Sequence, residues 1–299
     1  MAIQQHRGNI YAILSGFLYG FLGYFGLSVM QAGISASTML FWRFLISSVV
    51  IFLILLPSLK RIQDSWRDIG FAFLNGAAFY SFSTVLYFWS CTYIGSGLAM
   101  VIFFTYPGIV ILCNFFAYGQ KISPAYYVAM FLIFMGMLLF VDLHEMKLDF
   151  IGIILAVISA AFYAFYIFFS KKNIISANLS ALMVSLGCML SCLFLSLLNQ
   201  SFSIPVAGDV WLNLLGIGIL STAFPILLLL YSLRYVSSEK ASILSVLEPV
   251  FVVLCGVVLL GETLKPAHIL GVVIVLGGAL LTLFSDKLRL SFLNSRKLV

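Results

Sequence analysis

Charged residues are scarce in this chain of 299 residues. They make up 9% of it, whereas hydrophobic residues make up 63% and the mean hydropathy is +1.15. A soluble domain has about 25% charged and about 45–50% apolar residues. Because even a large soluble domain leaves much of its surface in water, a chain of this length has nowhere to hide so much apolar surface. The composition therefore excludes a soluble enzyme, a nucleic-acid-binding protein and a disordered chain.

Sequence motifs for metal, redox and nucleotide chemistry are also lacking. The five cysteines form no CxxC pair and have no histidine at ligand spacing, and there is no HExxH motif and no P-loop. We therefore expect no catalytic residues, no metal site and no cofactor. The cysteines are interpreted as small apolar residues that stay reduced.

Most of the chain consists of long apolar runs. A bilayer core of about 30 Å requires roughly 20 apolar residues per helix. Ten such runs lie near 9–30, 35–56, 70–92, 97–117, 124–141, 150–170, 179–198, 210–233, 240–260 and 266–284. They do not alternate in polarity as barrel strands do, so helices are the default. The sequence predicts an all-α integral membrane protein with ten transmembrane helices.

The few basic residues are unevenly distributed between the two sides of this topology. Two of the 16 lysines and arginines, Lys147 and Lys265, fall in loops on one side, and Arg43 falls within a span. On the side of the N-terminus are the other 13: Arg7, Lys60, Arg61, Arg67, Lys121, Lys171, Lys172, Arg234, Lys240, Lys287, Arg289, Arg296 and Lys297. Positive charge accumulates on the cytoplasmic side of membrane proteins. We therefore predict that both termini are cytoplasmic.

The chain also contains an internal repeat. Shifting it by 142 residues aligns 76–139 with 218–281, and 17 of 64 positions are identical without a gap. A shift of 144 aligns Gly8 with Gly152, Ser15 with Ser159 and Tyr19 with Tyr163. The predicted units are 1–145 and 148–290, followed by a cytoplasmic tail at 291–299. Because each unit has five helices, the second enters the membrane inverted. Inverted repeats are typical of secondary transporters, which bind substrate between the halves.

Residues 230–281, with their EP pair at Glu248–Pro249 and GE pair at 261–262, resemble the EamA family of the drug/metabolite transporter superfamily. Residues 87–140 are similar to the family's first copy, although Tyr106 stands in place of the glutamate of the EP pair and Gln120 in place of the acid of the GE pair. The segment 38–56 resembles the second helix, including its arginine. The resemblance implies ten helices, alternating access around a central cavity, and peripheral fifth and tenth helices that pack a homodimer. It also favours export of amino acids or related metabolites across a bacterial inner membrane.

Two charged residues are predicted deep in the membrane. Glu248 is near the centre of the ninth run, where a carboxylate costs at least about 2.5–3.5 kcal/mol, and Pro249 removes a helical hydrogen bond beside it. Glu248 either contacts substrate or couples transport to protons, or it steadies the kink by bonding to a neighbouring helix. Arg43 lies at a similar depth, and its partner is Glu248, helix carbonyls or the substrate; alternatively, it is a structural tie between helices.

Polar and aromatic side chains in the runs are candidates for the lining of a cavity. The predicted substrate-binding residues are Tyr19, Tyr80, Ser83, Tyr87, Tyr106, Tyr163 and Glu248, and the predicted helix breaks are at Pro107, Pro225 and Pro249. Tyrosines can hold an amphipathic solute by stacking and hydrogen bonding. The alternative is that they pack between helices or face lipid.

A membrane protein of this kind falls into one of three classes of function: transporter, enzyme or receptor. A secondary-active transporter of a small metabolite, acting as an exporter or, alternatively, as an uptake permease, agrees with the repeat and the resemblance. An integral-membrane enzyme requires clustered histidines or carboxylates, and a receptor requires a signalling domain that the short tails do not provide. The sequence predicts a transporter that interacts with the lipid bilayer, a small molecule and, through Glu248, protons.

Overall fold

The computed structural model describes residues 2–57, 64–119, 123–141, 149–173, 175–260 and 265–295. Within these ranges it contains α-helices and π-helices but no β-strand. Eight helical stretches there are long and apolar enough to cross a membrane, and Pro124–Leu138 is a shorter apolar helix. The prediction of an all-α membrane fold is confirmed. The loop cations Lys60, Arg61, Lys121 and Lys147, together with Arg296 and Lys297 at the C-terminus, lie outside the described residues.

The first half forms spans 1 to 5, of which three are interrupted. Span 1 comprises α1 (Ala2–Tyr19) and α2 (Leu22–Gln31); span 2 is α3 (Ala36–Leu55); span 3 comprises α4 (Trp66–Leu74), the π-helix π1 (Asn75–Tyr80) and α5 (Ser81–Ile94); span 4 comprises α6 (Ser96–Phe103) and α7 (Tyr106–Tyr118); and span 5 is α8 (Pro124–Leu138).

The second half forms spans 6 to 10 in the same order. Span 6 is α9 (Phe150–Lys172); span 7 is α10 (Ala177–Leu198); span 8 comprises α11 (Gly208–Gly218), π2 (Ile219–Ala223) and α12 (Phe224–Tyr235); span 9 comprises α13 (Ser238–Ser245) and α14 (Glu248–Leu260); and span 10 is α15 (Pro266–Ser295). The helix α15 continues past residue 290, where the tail was predicted to begin, because no glycine or proline follows Gly278 to end it.

The spans alternate in direction, so the bundle has two faces. The start of α1 and the end of α15 lie on one of them, which we call the terminal face. On the other, the opposite face, Ser37 at the start of α3 and Ser201 after α10 share a hydrogen bond of 3.0 Å. On the terminal face, Asn173 after α9 donates to the carbonyl oxygen of Asp68 in α4 at 3.1 Å.

The same contacts recur in both inverted halves. The Ser15 hydroxyl donates to the Pro225 carbonyl oxygen at 2.9 Å, and the Ser159 hydroxyl donates to that of Ser83 at 2.8 Å. These pairs match under the shifts of 144 and 142 residues found in the sequence. Likewise, a Cβ on Gly8 would meet Tyr235 and Val236, and one on Gly152 would meet the register equivalents Tyr93 and Ile94. Small residues permit close helix approach in membranes, and here the same approach is made at equivalent positions of the two repeats.

The fifth and tenth spans pack mainly against each other. A Cβ on Gly136 of α8 would lie 2.8 Å from the Gly271 carbonyl oxygen, and one on Gly278 of α15 would lie 2.8 Å from that of Ala129. The small-residue faces of both helices are therefore used within one chain. Large apolar side chains such as Phe131 and Val273 point away from the bundle, with 63% and 60% of their surface exposed. These two spans lie at the periphery, where a membrane protein faces lipid.

Candidate functional site: a cavity between the two halves

A cavity of about 660 Å³ lies between the halves. Spans 1, 3 and 4 contribute most of its wall, Arg43 and Tyr163 add single side chains from spans 2 and 6, and Glu248 and Val252 line it from span 9. Its deep end is formed by buried groups near mid-membrane, including Tyr80. Small-molecule sites in proteins measure about 300–1,000 Å³, so the cavity has room for one small solute.

The cavity opens at the opposite face. Its lining extends to Gln31 at the end of α2, Thr92 near the end of α5 and Ser96 at the start of α6, all of which are exposed. Each of these residues lies at the end of its span on that face. The structure is therefore in a state whose access is from the face away from the chain termini.

The terminal face is closed by contacts between the halves. The Asn114 amide of α7 donates to the Ser238 hydroxyl of α13 at 2.9 Å, and both side chains are buried. The ring of Tyr11 in α1 lies 5.9 Å from that of Tyr231 and 6.1 Å from that of Tyr235 in α12. Together these contacts close the bundle between spans 1, 4, 8 and 9.

Basic residues on the terminal face bind main-chain carbonyls of neighbouring helix ends. The Lys171 ammonium donates to the Val236 carbonyl oxygen at 2.9 Å, and the Arg234 guanidinium donates to that of Asn173, also at 2.9 Å. These bonds tie the end of span 6 to the end of span 8. Carbonyls at helix C-termini lack intrahelical partners, and cations are favoured there.

Arg43 is buried at the deep end of the cavity, with 1% of its surface exposed. Its Nε donates to the Thr222 hydroxyl at 2.6 Å, and its Nη2 lies 3.4 Å from the Tyr80 hydroxyl. Tyr80 and Thr222 are equivalent under the 142-residue shift and lie in π1 and π2. Arg43 thus links the two π-helices, while its Nη1 has no hydrogen-bond partner. A buried donor without a partner is costly.

Glu248 begins α14, and its side chain also lines the cavity. It is half-buried, and the structure shows neither a hydrogen bond from its carboxyl group nor an ion pair with Arg43, although both residues are described. It lines the same cavity as Tyr163, and the direct pairing with Arg43, one of the alternatives from the sequence, is not made in this state. A guanidinium and a carboxyl group therefore face one cavity without an ion pair between them.

Tyrosine rings form much of the deep wall. The hydroxyls of Tyr19 and Tyr80 are 3.0 Å apart, and the Tyr163 ring lies 5.8 Å from that of Tyr80. Tyr87 lines the wall nearer the mouth, where its ring lies 5.2 Å from that of Phe103. These four predicted residues lie on one surface, which offers aromatic faces and hydroxyl groups to a solute.

Ser83 and Tyr106 are placed differently from the expectation that they bind substrate. Ser83 lines the cavity, but its hydroxyl donates to the Ser159 carbonyl oxygen at 3.0 Å. Tyr106 is not among the lining residues: it is 1% exposed, packs edge-on behind Tyr163 at 4.7 Å, and donates to the Ser242 carbonyl oxygen at 3.2 Å. In this state its position is that of a link between spans 4 and 9.

The three prolines mark changes in helix geometry. Pro107 and Pro249 follow the breaks at 104–105 and 246–247, and both are buried just inside the next helix. Pro225 follows π2 at the start of α12, where the span continues in π rather than broken form. A proline at the first turn of a helix needs no hydrogen bond there, which explains why each segment begins at these points.

Several lining residues are not evident from the sequence. Phe103, Met100 and Cys91 line the cavity, as does Gly23, beside which a Cβ would meet nothing within 4 Å. The glycines of span 1 indicate close packing in the sequence, and Gly20 fits that interpretation because its Cβ would lie 2.8 Å from that of Phe251. No cluster of three or more metal-ligating side chains occurs in the part of the chain that the structure describes.

The segments that match a known protein family coincide with the two halves of the structure. The sequence profile of the EamA-like transporter family matches residues 6–142 and 150–284. The chain belongs to the EamA-like transporter family. The two matched segments are the two inverted halves, so the cavity lies where the two EamA repeats meet.

Relatives that are named as uncharacterized transporters are similar to this chain over most of their length. The chain is 25% identical over 288 residues to the uncharacterized transporter YxxF of Bacillus subtilis (strain 168), covering 94% of this chain and 90% of that protein. It is 21% identical over 294 residues to an uncharacterized transporter of Clostridium kluyveri, covering 94% of each. A solved crystal structure matches with a TM-score of 0.80 and 17% identity over 94% of this chain and 98% of its own, which shows the shared fold.

Proposed function

We propose that this membrane protein is a secondary-active exporter of a small metabolite, such as an amino acid or another amphipathic or aromatic solute. It works by alternating access between its two inverted repeats. The observation that carries the proposal is the cavity: it opens at one face, is closed at the other by contacts between the halves, and contains an arginine and a carboxyl group that form no ion pair with each other.

The chemistry of the cavity supports an amphipathic substrate. The tyrosine wall suits an apolar or aromatic body, the free Nη1 of Arg43 suits an anionic group, and the carboxyl of Glu248 suits an amine. Charge-assisted hydrogen bonds are roughly twice as strong as neutral ones. A solute that carries both charges would satisfy both residues at once, as an amino acid does.

The proposal includes an orientation. The excess of lysine and arginine on the terminal face supports a cytoplasmic location for that face and for both chain ends, in the inner (plasma) membrane. The state described here is then open to the outside. Uptake is the alternative direction, and an integral-membrane enzyme is the alternative class, which would turn over a ligand without moving it.

A flux assay in proteoliposomes tests the function. Purified protein is reconstituted, a panel of amino acids and aromatic metabolites is supplied, and movement is measured with and without a pH gradient. We expect protein-dependent flux of at least one zwitterionic solute, and the direction in which the gradient drives it separates export from uptake. Binding or turnover of such a solute without any flux would contradict the transporter function.

Glu248 is proposed to carry the coupling proton. Glu248→Gln keeps the shape of the side chain and fixes a neutral form, so it should abolish pH-driven flux and leave substrate exchange and folding largely intact. Asp209→Asn is the matched control, because Asp209 lies exposed in the first turn of α11 on the opposite face. Near wild-type pH-driven flux in Glu248→Gln at matched protein amounts would sink the coupling role.

A homodimer is the remaining part of the proposal. The surface that supports it is the outer face of α8 and α15, where Phe131 and Val273 are exposed. Light scattering of the detergent-solubilised protein should give a protein mass twice that of the 33.1 kDa chain. Phe131→Ser together with Val273→Ser should return that mass to one chain.

A further inference from the structure

Spans 4 and 9 are both broken at mid-membrane, and each consists of two half-helices. These half-helices can form two contacts, α7 with α13 on the terminal side and α6 with α14 on the opposite side, and we call each contact a crossing. In this state the first crossing is closed. The half-helix α7 packs on α13, where Tyr106 donates to the Ser242 carbonyl oxygen at 3.2 Å and Asn114 donates to the Ser238 hydroxyl at 2.9 Å. These two bonds join spans 4 and 9 on the terminal side.

The other crossing is open. Met100 and Phe103 of α6 line one side of the cavity, and Glu248 and Val252 of α14 line another. The space through which a solute would pass therefore separates α6 from α14. Closing the opposite face requires these two half-helices to meet.

The register of the repeat identifies which groups would meet. The 142-residue shift relates Tyr106 to Glu248 and Ser242 to Met100. The breaks obey the same shift, since α7 begins at Tyr106 and α14 at Glu248. In a transporter built from inverted repeats, one half adopts in one state the arrangement of the other half in the opposite state. The counterpart of the bond from Tyr106 to Ser242 is thus a bond from Glu248 to Met100.

We propose that, when the opposite face closes, the protonated carboxyl of Glu248 donates its O–H to the main-chain carbonyl oxygen of Met100. This inference rests on the proposed function, because it describes how proton binding drives alternating access. A protonated carboxyl has one donor, whereas an ionised carboxylate only accepts. An ionised Glu248 would set negative oxygen against a carbonyl oxygen and oppose closure. The Met100 carbonyl already accepts the Phe104 amide at 3.0 Å, and its second lone pair is available.

The second bond of the closed crossing has no counterpart. Asn114 corresponds to Gly256 in the sequence, and Ser238 corresponds to Ser96. Glycine offers no side-chain donor to Ser96. Of these two side-chain hydrogen bonds between spans 4 and 9, only the one that depends on a proton can be repeated at the opposite face, which gives Glu248 control over closure of this pair of spans.

The other charged and titratable groups around Glu248 and along the cavity come from spans 1, 2, 3, 4 and 6. They are Arg43, Tyr19, Tyr24, Tyr80, Tyr87, Cys91, Tyr106 and Tyr163. In water a carboxyl group titrates several pH units below a phenol, a thiol or a guanidinium. Glu248 is therefore the group in this set whose protonation can change with a physiological pH gradient.

The proton balance makes the cycle an antiport. A proton enters from the opposite face, converts the Glu248 carboxylate to a carboxylic acid, and allows α14 to close on α6. After the terminal face opens, the same proton leaves to that side and Glu248 is ionised again. The bond to Met100 is then lost and the opposite face is released, while the amine of a bound solute can pair with the carboxylate on the return.

The test measures conformation rather than flux. Spin labels at Ser96→Cys and Ala267→Cys, both exposed near the opposite face at α6 and at the start of α15, report closure of the mouth. The five native cysteines are first replaced, and the background is accepted if its melting temperature and flux match the native chain. Double electron–electron resonance distances are recorded in nanodiscs between pH 5 and pH 8 without substrate.

We expect the ratio of closed to open mouth to rise about twofold to tenfold as pH falls, since one net hydrogen bond shifts an equilibrium by about that factor. Glu248→Gln and Glu248→Tyr both supply a neutral donor and should show the low-pH ratio at every pH. Glu248→Leu supplies none and should keep the open ratio. Tyr106→Phe removes the matching bond at the terminal face and should raise the closed ratio while its pH dependence persists.

The result that would overturn the proposal is a pH-dependent ratio that persists in Glu248→Leu, or a ratio in the native side chain that does not change with pH. Either result is separable from failure of the proposed function. Flux measured on the same preparation decides whether the protein is a transporter, and a chain that transports but keeps a pH-independent mouth refutes this mechanism alone.

Discussion

The hydroxyl of Ser159 in α9 donates to the main-chain carbonyl oxygen of Ser83 in α5 across 2.8 Å. Ser15 in α1 makes the equivalent bond to Pro225 in α12. Each bond joins a helix of one half to a helix of the other, spans 3 and 6 in one case and spans 1 and 8 in the other. The two bonds tie span 1 to span 8 and span 3 to span 6 across the two halves, and we call these four spans the frame.

Loss of either frame bond should cost a similar amount of stability. We expect Ser15→Ala and Ser159→Ala each to lower the free energy of unfolding by about 0.6 kcal/mol and at most about 1.7 kcal/mol, the range for hydrogen bonds between membrane helices. Unfolding in mixed micelles measures this. Thr92→Ala is the control, because the Thr92 hydroxyl donates within its own helix to the Trp89 carbonyl oxygen. A neutral Ser15→Ala beside a costly Ser159→Ala would contradict the equivalence of the two frames.

The frame could be predicted from the sequence in part. The identities at Gly8 and Gly152 and at Ser15 and Ser159 indicate an inverted repeat because the same close approaches are made twice. The π-helices could not be predicted, since insertion of one residue into a turn leaves an apolar run apolar. Arg43 reaches Tyr80 in π1 and Thr222 in π2, a tertiary relationship that no local pattern encodes.

The candidate site shows the same division. Burial depth is readable from the runs, so Glu248, Arg43, Tyr19 and Tyr163 were predicted to be deep, and the structure places them around one cavity. Side-chain direction is not readable. Tyr106 points away from the cavity because its hydroxyl finds the Ser242 carbonyl that the break in span 9 exposes.

Close contact of span 7 with span 3 should make one glycine indispensable. A Cβ on Gly187 would collide with the Phe73 carbonyl oxygen and the Ala77 amide nitrogen. Both are main-chain atoms, which cannot avoid the clash by a change of rotamer. We expect Gly187→Ala to lower the free energy of unfolding by about 1–3 kcal/mol, as overpacking does, and to reduce the yield of folded protein. Differential scanning fluorimetry in detergent measures the change.

The matched control for this prediction is a glycine whose replacement by alanine should not lower the stability. Gly70 lies in α4, where a Cβ would meet nothing within 4 Å. Alanine is favoured over glycine by about 0.5–1 kcal/mol within a helix, so Gly70→Ala should leave the melting temperature unchanged or raise it. If Gly187→Ala were as stable as Gly70→Ala, the close approach of span 7 to π1 would be wrong.

Topology follows from the distribution of basic residues. Reporter fusions after Ser96 and after Gln200 should report the outside, because these residues lie at the opposite face, and fusions after Gln120 and Asn178 should report the cytoplasm. Alkaline phosphatase and green fluorescent protein fusions measured in parallel give complementary signals. A cytoplasmic signal at Gln200 would break the inverted repeat as well as the orientation.

Arg43 separates a structural tie from a substrate contact, and two variants distinguish these roles. Thr222→Val removes the partner of Nε and leaves a buried charged donor unsatisfied, so the free energy of unfolding should fall by about 1–3 kcal/mol. Thr222 does not line the cavity, and we expect the KM for transport per folded molecule to stay near the native value.

Arg43→Leu removes the charge together with its unpartnered Nη1. If that atom binds an anionic group of the solute, KM should rise at least tenfold per folded molecule, because a hydrogen bond to a charged group contributes about 1.5–3 kcal/mol. Flux of an uncharged analogue without the carboxylate should be little changed. A KM equal to that of the native protein, with a lower melting temperature, would assign Arg43 to the frame that links π1 to π2 and leave Glu248 as the charge in the cavity that acts on the solute.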